Sequence, residues 1–447
     1  MNRPLIALAA IACIAGALAL AACSSSSEPG NAPQEGTSGD TYAVALPAVP
    51  AKLGEDDAEA WLKTLDENLL DADFLASLST FSYKTASAAL SEPEASTSKD
   101  SEKGANSTYS PVSLYYAFAL ATQGAAGQTA TEMNALLGAT DPAAVAQNSG
   151  NLFRVMASDP YSTTALANSI WMSDNDPFKQ SFVDTATQQF YATPFAVKFG
   201  TPETDEAIAS WIKDNTRGTI DPQVETTSDQ LMSIINTVYF KDGWVIPFDV
   251  ENTKDDTFHA ADGDKTASFM MQKFDDPREY VQTDRYTRAS LGFAGGATMS
   301  FVLPAEGVTA GSILSDAALL EESLTAPATD LARITFTLPK ATFDTSFDLI
   351  PPLKSLGLET PFSDQADFSN LTEQPAFISL IKQESHIAWD ENGAEASAYT
   401  NIGISKMSLM PEDVPAVDFK LDRPFLFAIT SAQGAPLFIG VCGNPAA

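Results

Sequence analysis

Asp390-Glu391-Asn392-Gly393-Ala394-Glu395-Ala396-Ser397-Ala398-Tyr399-Thr400 is the stretch from which the rest of the chain is best read. Successive side chains of an extended strand point to opposite faces, so a strand entering a sheet buries every second residue. Counted from Ala394, one set is Ala394, Ala396, Ala398, Thr400, Ile402 and Ile404. The other is Glu395, Ser397, Tyr399, Asn401 and Gly403. The first set begins with small residues and contains no charge, so that face can slide between strands already in place. The second set is mostly polar and suits solvent. On composition alone a plain Ala/Ser linker fits these residues better, and the choice turns on what flanks them.

Upstream, Ala376 to Trp389 reads as a strand, and so do Leu231 to Phe240, Thr298 to Leu303 and Arg333 to Leu338. Downstream, Phe425 to Thr430 does the same; all are rich in Ile, Val, Phe and Thr. Helices come earlier. Trp61, Leu62, Leu65, Leu69 and Leu70 recur at helical spacing, followed by Phe74, Leu75, Leu78 and Phe81. Ser110-Pro111 is a cap residue with proline at the first helical position, and its helix runs through Leu114 to Ala121. Thr129-Ala130-Thr131-Glu132 has the form of a capping box for a helix ending at Gly138. Asp176-Pro177 and Thr201-Pro202 each open a further helix, the second stopping at Gly218. Helices first and strands later, without regular alternation, predict an α+β domain with large sheets.

The N-terminus places the chain outside the cytoplasm. Arg3, an apolar run from Leu5 to Ala22 and small residues before Cys23 make a secretory signal. Leu20-Ala21-Ala22-Cys23 resembles the bacterial lipobox, which implies cleavage before Cys23 and lipidation of that residue with at least two chains, enough for stable anchoring. The expected organisation is a lipoprotein signal over 1–22, a flexible Ser/Gly/Pro tether over 23–54 and one domain over 55–447, its core from about 73. The exported protein is expected on the cell membrane, facing outward. Net charge is −33, with no basic stripe, which excludes nucleic acid as a partner. Cys442 is the one cysteine left in the folded part, so no internal disulfide forms there; its apolar setting predicts a buried thiol.

Catalytic chemistry finds no foothold. His259 and His386 are the two histidines. No G-x-S-x-G elbow, H-E-x-x-H, P-loop or dinucleotide glycine pattern is present, and paired cysteines for a metal are absent. The sequence predicts neither an enzyme nor a cofactor or metal.

Several segments together resemble the serpin family. Asn106 to Ser113, Gln123 to Thr129, Ile235 to Trp244 with Pro247-Phe248, Thr253 to Gln272, Asp422 to Phe427 and Phe438-Ile439-Gly440 match its segments in order and spacing. The likeness spans about Phe74 to Pro445. It implies about eight or nine helices, large mixed or antiparallel sheets and an exposed reactive loop over about 391–414. It also implies a monomeric serine protease inhibitor whose cleaved loop inserts into the main sheet, trapping the protease as an acyl-enzyme.

By the same resemblance, Glu391, Gly393, Ala394, Glu395, Ala396, Ser397 and Ala398 form the hinge. Family spacing from Glu391 puts the reactive bond at Met407-Ser408, a bait for elastase-like or chymotrypsin-like enzymes. The rival is Lys406-Met407, a trypsin-like bait. Ser110, Ser113, Asn236 and Gln383, with Trp244 beneath the insertion point, are the expected sheet-opening cluster; Gln383 stands where many serpins have His. Ala394 replaces the family's frequent Thr or Ser but stays small and uncharged. The alternative is the same fold used for binding or structure, without inhibition.

Overall fold

The structure, a computed structural model, describes residues 45–91, 106–139, 141–394 and 414–446. Helices dominate the first part: α1 (Ala58–Glu67), α2 (Ala72–Ser91), α3 (Pro111–Gly124), α4 (Gly127–Leu137), α5 (Pro142–Ser158), α6 (Gln180–Gln188) and α7 (Pro202–Asn215). Later come α8 (Ala310–Leu314), α9 (Ala317–Thr325) and α10 (Ile350–Ser355). The early strands are β1 (Ser107–Tyr109), β2 (Thr163–Ser173), β3 (Ala192–Val197) and β4 (Met232–Gly243). Next are β5 (Lys254–Ala260), β6 (Gly263–Lys273), β7 (Arg278–Gln282), β8 (Tyr286–Gly292) and β9 (Thr298–Pro304). Then follow β10 (Asp330–Pro339), β11 (Ala341–Asp348), β12 (Lys382–Trp389) and β13 (Gly393–Ala394). The last are β14 (Ala416–Lys420), β15 (Phe425–Thr430) and β16 (Pro436–Cys442). The class is α+β, with ten α-helices among the described residues.

Two sheets organise these strands. The smaller has six strands in the order β11-β12-β13-β4-β2-β3. The larger runs β1-β16-β15-β9-β8-β7-β10-β6-β5, with β14 also on β10. β10 serves both halves of it: Asp330–Ala332 pair with β7, and the rest pairs with β6 and β14. β15 and β16 are continuous apolar runs because they are buried along nearly their whole length. α3 is apolar all round for the same reason. It packs against α2, α4, α5, α6, β4 and β16, with Pro111, Val112, Leu114, Tyr115, Tyr116, Phe118 and Leu120 all buried.

Several local expectations are redirected by tertiary contacts. The capping box at Thr129 does not form. α4 begins at Gly127, and Thr129 Oγ1 accepts from the Asp367 amide at 2.8 Å. Glu132 instead accepts from the amides of Glu359 and Thr360, capping a distant 3-10 turn. Asp176-Pro177 opens no helix; α6 starts at Gln180. The strand expected from Ala376 begins only at Lys382. α1 forms, but none of its residues is buried and Leu62 is exposed. α7 behaves as expected, with the Thr201 hydroxyl accepting from the Thr204 amide.

Cys442 is fully buried at the end of β16, and burial pushes its thiol well above the usual range. Iodoacetamide should leave Cys442 unlabelled in the native protein and label it in urea, as mapped by peptide mass spectrometry. Labelling at the rate of a free thiol under native conditions would remove β16 from the core.

Candidate functional site

β12 ends at Trp389, and the chain turns through Asp390, Glu391 and Asn392 before re-entering the same sheet as β13. The Asp390 amide donates to the Gly393 carbonyl at 3.0 Å, and its carboxylate accepts from the Asn392 amide at 2.7 Å. This Asx geometry suits a tight turn. β13 lies antiparallel between two strands that run parallel to each other: Ala394 pairs with Trp389 of β12 and Asp242 of β4, and Gly393 pairs with Gly243. Among the described residues no ladder joins β4 to β12 directly.

The turn is held from outside as well. Trp244 donates its amide to Asn392 O at 2.9 Å and its indole N–H to Asp390 O at 2.9 Å. The Phe248 amide donates to Glu391 O at 2.8 Å. Trp244 is stacked on Phe293 at 4.4 Å between ring centroids. The Glu391 carboxylate accepts from Thr253 Oγ1 at 2.8 Å and pairs with Lys340 Nζ at 2.9 Å. Burial works against its ionisation, but the bonds from Lys340 and Thr253 prevail and hold the carboxyl below its ordinary range. Glu391, Gly393 and Ala394 are therefore buried, not the start of an exposed loop. The backbone of this turn is committed to β4 and the segment after it.

Gly393 is required by close approach. Its φ is 155°, and a Cβ built there would lie 2.1 Å from Asp242 O and 2.7 Å from Gly243 Cα. Asp242 is itself buried. Its Oδ2 accepts from the Gly295 amide at 2.9 Å. Burial pushes this carboxyl up to about 7, against the pull of the Gly295 and Gly243 amides; Asp159 pushes the same way and Lys52 opposes.

The expected sheet-opening residues fall into separate groups. Ser110 and Gln383 are locked together: Ser110 N donates to Gln383 Oε1 at 2.9 Å, and Gln383 Nε2 donates to Ser110 O at 2.8 Å. The Ser110 hydroxyl donates to Leu437 O at 2.8 Å. Ser113 is buried a turn further along α3. Asn236 turns to its neighbour on β2 instead, donating to Asn168 Oδ1 at 2.5 Å, and its own Oδ1 is buried without a partner. Six residues back from the level of Trp389 and Asp242, Gln383 and Asn236 stand level across the two flanking strands. Trp244 sits at the other end, eight residues from Asn236, about 26 Å along the strand. Glu395, Ala396, Ser397, Ala398, Lys406, Met407, Ser408 and Cys23 lie outside the described residues.

Each histidine meets an aspartate across a strand pair. His259 Nδ1 is 2.8 Å from Asp264 Oδ1, and His386 Nδ1 is 2.5 Å from Asp344 Oδ1. Neither pair includes the serine or thiol that a nucleophilic triad needs. Sequence reading missed Lys340, Thr253, Phe293 and Asn168. Asp242 did carry a signal: period-two alternation puts it on the same strand face as Val238 and Phe240, opposite Lys241.

These features coincide with a known fold. The family model for serpins, serine protease inhibitors, matches residues 94–445. The chain belongs to the serpin family. It is 29% identical over 396 residues to Serpin-Z1C of Triticum aestivum, covering 83% of this chain and 96% of that one. Among solved structures it resembles the native state of tengpin, a thermophilic serpin, at 25% identity and TM-score 0.69, over 84% of this chain and 95% of tengpin. It also resembles Arabidopsis AtSerpin1 in its native stressed conformation, at 25% identity and TM-score 0.70, over 85% of this chain and all of that one. Family members are inhibitors of serine proteases rather than enzymes.

Gly393→Ala should expel β13 from its place against β4. We expect a loss of about 1–3 kcal/mol, typical of overpacking, read as a lower urea midpoint. An unchanged midpoint would show that β13 is not held this tightly.

Proposed function

We propose that the chain is a surface-tethered suicide inhibitor of extracellular serine proteases. The observation that carries this reading is β13: two hinge residues already paired between β4 and β12, two strands with no ladder between them. Continued in the same register, the hinge would set Ala396 between Phe240 and Ile387, Ala398 between Val238 and Ser385, and Thr400 between Asn236 and Gln383. At the first level a small inward residue meets two large ones, and at the second it meets one valine and one serine. Thr400 would bring a hydroxyl to the unpartnered Asn236 Oδ1.

On this reading a protease attacks the loop as substrate and its serine becomes acylated. The freed hinge then adds to the sheet as a strand, a mode of association of which serpin loops are an established example. Roughly a dozen new ladder bonds at about 0.5–1.5 kcal/mol net give on the order of 10 kcal/mol. That is comparable with the whole stability of a domain, about 5–15 kcal/mol, so deforming the attached enzyme is within reach. Met407-Ser408 is the proposed reactive bond, which favours elastase-like or chymotrypsin-like targets; Lys406-Met407 would favour trypsin-like ones. Lipidated Cys23 would hold the inhibitor at the membrane, and the tether after it would set its reach.

Mixed with elastase, chymotrypsin and trypsin, the soluble domain should give a covalent complex that survives a denaturing gel. Mass spectrometry of the released C-terminal peptide should place the cut after Met407. Cleavage by all three without a complex would sink the inhibitory reading and leave a serpin fold used for binding or structure. Ala398→Arg, in the proposed inward set beyond β13, should abolish complexes while leaving the loop cleavable, because burying an unpaired charge on insertion costs several kcal/mol. Cys23→Ala should move the protein from the membrane fraction to the soluble fraction; continued membrane association would rule out the lipid anchor.

A further inference from the structure

Asp242 stands where the hinge meets three other segments. Its backbone pairs with Ala394 of β13. Its carboxyl reaches Gly295, in the turn between β8 and β9. That turn has no slack, since a Cβ on Gly295 would lie 2.7 Å from Asp242 Oδ2 and 2.6 Å from Ser162 Cβ. Ser162 belongs to the loop leading into β2, and its hydroxyl donates to Asp159 Oδ2 at 2.8 Å. Lys52 closes the junction from the N-terminal side, donating from Nζ to Ser162 O at 2.6 Å. The end of β4 is also fixed to the 293–297 turn by its backbone, through the Ala294 amide on Gly243 O at 2.8 Å.

Few charges act on this carboxyl. Asp159 repels it from the 159–162 loop, and Lys52 attracts it from the N-terminal segment. The 293–297 turn has no ionisable side chain, nor do Gly393 and Ala394. Glu391 is engaged by Lys340 and Thr253. Burial is the largest influence and favours the neutral acid.

We propose that Asp242 is a proton-operated catch that positions the hinge. As the neutral acid it holds the end of β4 against the 293–297 turn and keeps β13 in register. As the carboxylate it is costly to keep buried, even with the Gly295 amide on it, so the end of β4 and the Asp390–Ala394 turn open to water more often. The inference rests on the inhibitory reading only in giving the released hinge a purpose.

The sign follows from proton counting. In the closed junction the carboxyl keeps its proton up to about 7. Opened to water it loses that proton near the ordinary carboxylate value, so the open form binds fewer protons between the two. Opening therefore rises with pH, by up to about tenfold per unit, and levels off once the closed form is ionised as well.

The test is hydrogen exchange at the Trp244 and Asp390 amides of the intact protein from pH 5 to pH 8, corrected for the chemical exchange rate. In the wild type the opening constant should climb at least tenfold and flatten near the top of the range. Asp242→Asn keeps an oxygen for the Gly295 amide and cannot ionise; it should give a flat profile at the acid level. Asp159→Asn removes the like charge and should shift the inflection to lower pH, and it decides the matter if the first variant does not fold. A flat wild-type profile, an Asp242→Asn profile that keeps its slope, or an Asp159→Asn inflection that stays put would overturn the proposal. Protease complexes measured on the same samples separate the two readings. Absence of complexes defeats inhibition, whereas the exchange profiles alone decide the catch.

Discussion

The six-stranded sheet depends on one close approach, that of Gly393 to the Asp242 carbonyl, where no side chain fits. That contact lets two residues bridge β4 and β12, which are otherwise without a mutual ladder among the described residues. Everything around it serves to keep the turn in place. Trp244 takes two carbonyls, Phe248 a third, and Lys340 and Thr253 take the Glu391 side chain. Backbone groups satisfied in this way cannot leave without exposing several buried donors and acceptors at once. The turn and β13 are thus docked, yet at a point where the sheet is interrupted.

The other end of the same interruption is built differently. Gln383 clasps the backbone of Ser110 at the start of α3, so the flanking strand β12 is tied to the helix beneath it. β4 is tied sideways, through Asn236 to Asn168 on β2. At this level the two strands are therefore tied differently: β12 through Gln383 to the backbone of Ser110, and β4 through Asn236 to β2. A sheet divided in this manner separates along one seam while both sides keep their hydrogen bonds.

Much of this was legible in the sequence, and the limits are physical. The buried strands β9 and β15 and the helix α3 announce themselves through runs of apolar residues that only a core accommodates, and β10 through its alternation of Ala332, Ile334, Phe336 and Leu338 with polar residues. Ala394 was legible as a small inward strand residue, and it is buried in β13; Ala396 and Ala398 lie outside the described residues. What could not be read was non-local. Glu391 depends on Lys340 and Thr253, which lie 51 and 138 positions away. Thr129 and Glu132 have a form that is ordinarily local, but the segment from Glu359 to Asp367 takes both. β2 went unnoticed because Thr163 to Ser169 carries no strong pattern; its ladders with β3 and β4 make it a strand. Grouping Trp244 with Gln383 followed their shared relation to one seam, and the structure puts them at opposite ends of it.

The position of β16 has a consequence for the order in which this molecule can be made. β16 lies between β1 and β15, and β15 lies between β16 and β9, in the interior of the larger sheet. Gly440 is pressed between Phe427 and the Ser107 carbonyl, so strands from both ends of the chain meet there. A ribosome delivers β16 after every strand it meets in this sheet. Until they arrive, β1 has no partner, β9 lacks its neighbour on one side and α3 lacks β16. The larger sheet is therefore closed by β15 and β16, and a chain on which they have not yet been made has no finished core to fall back on.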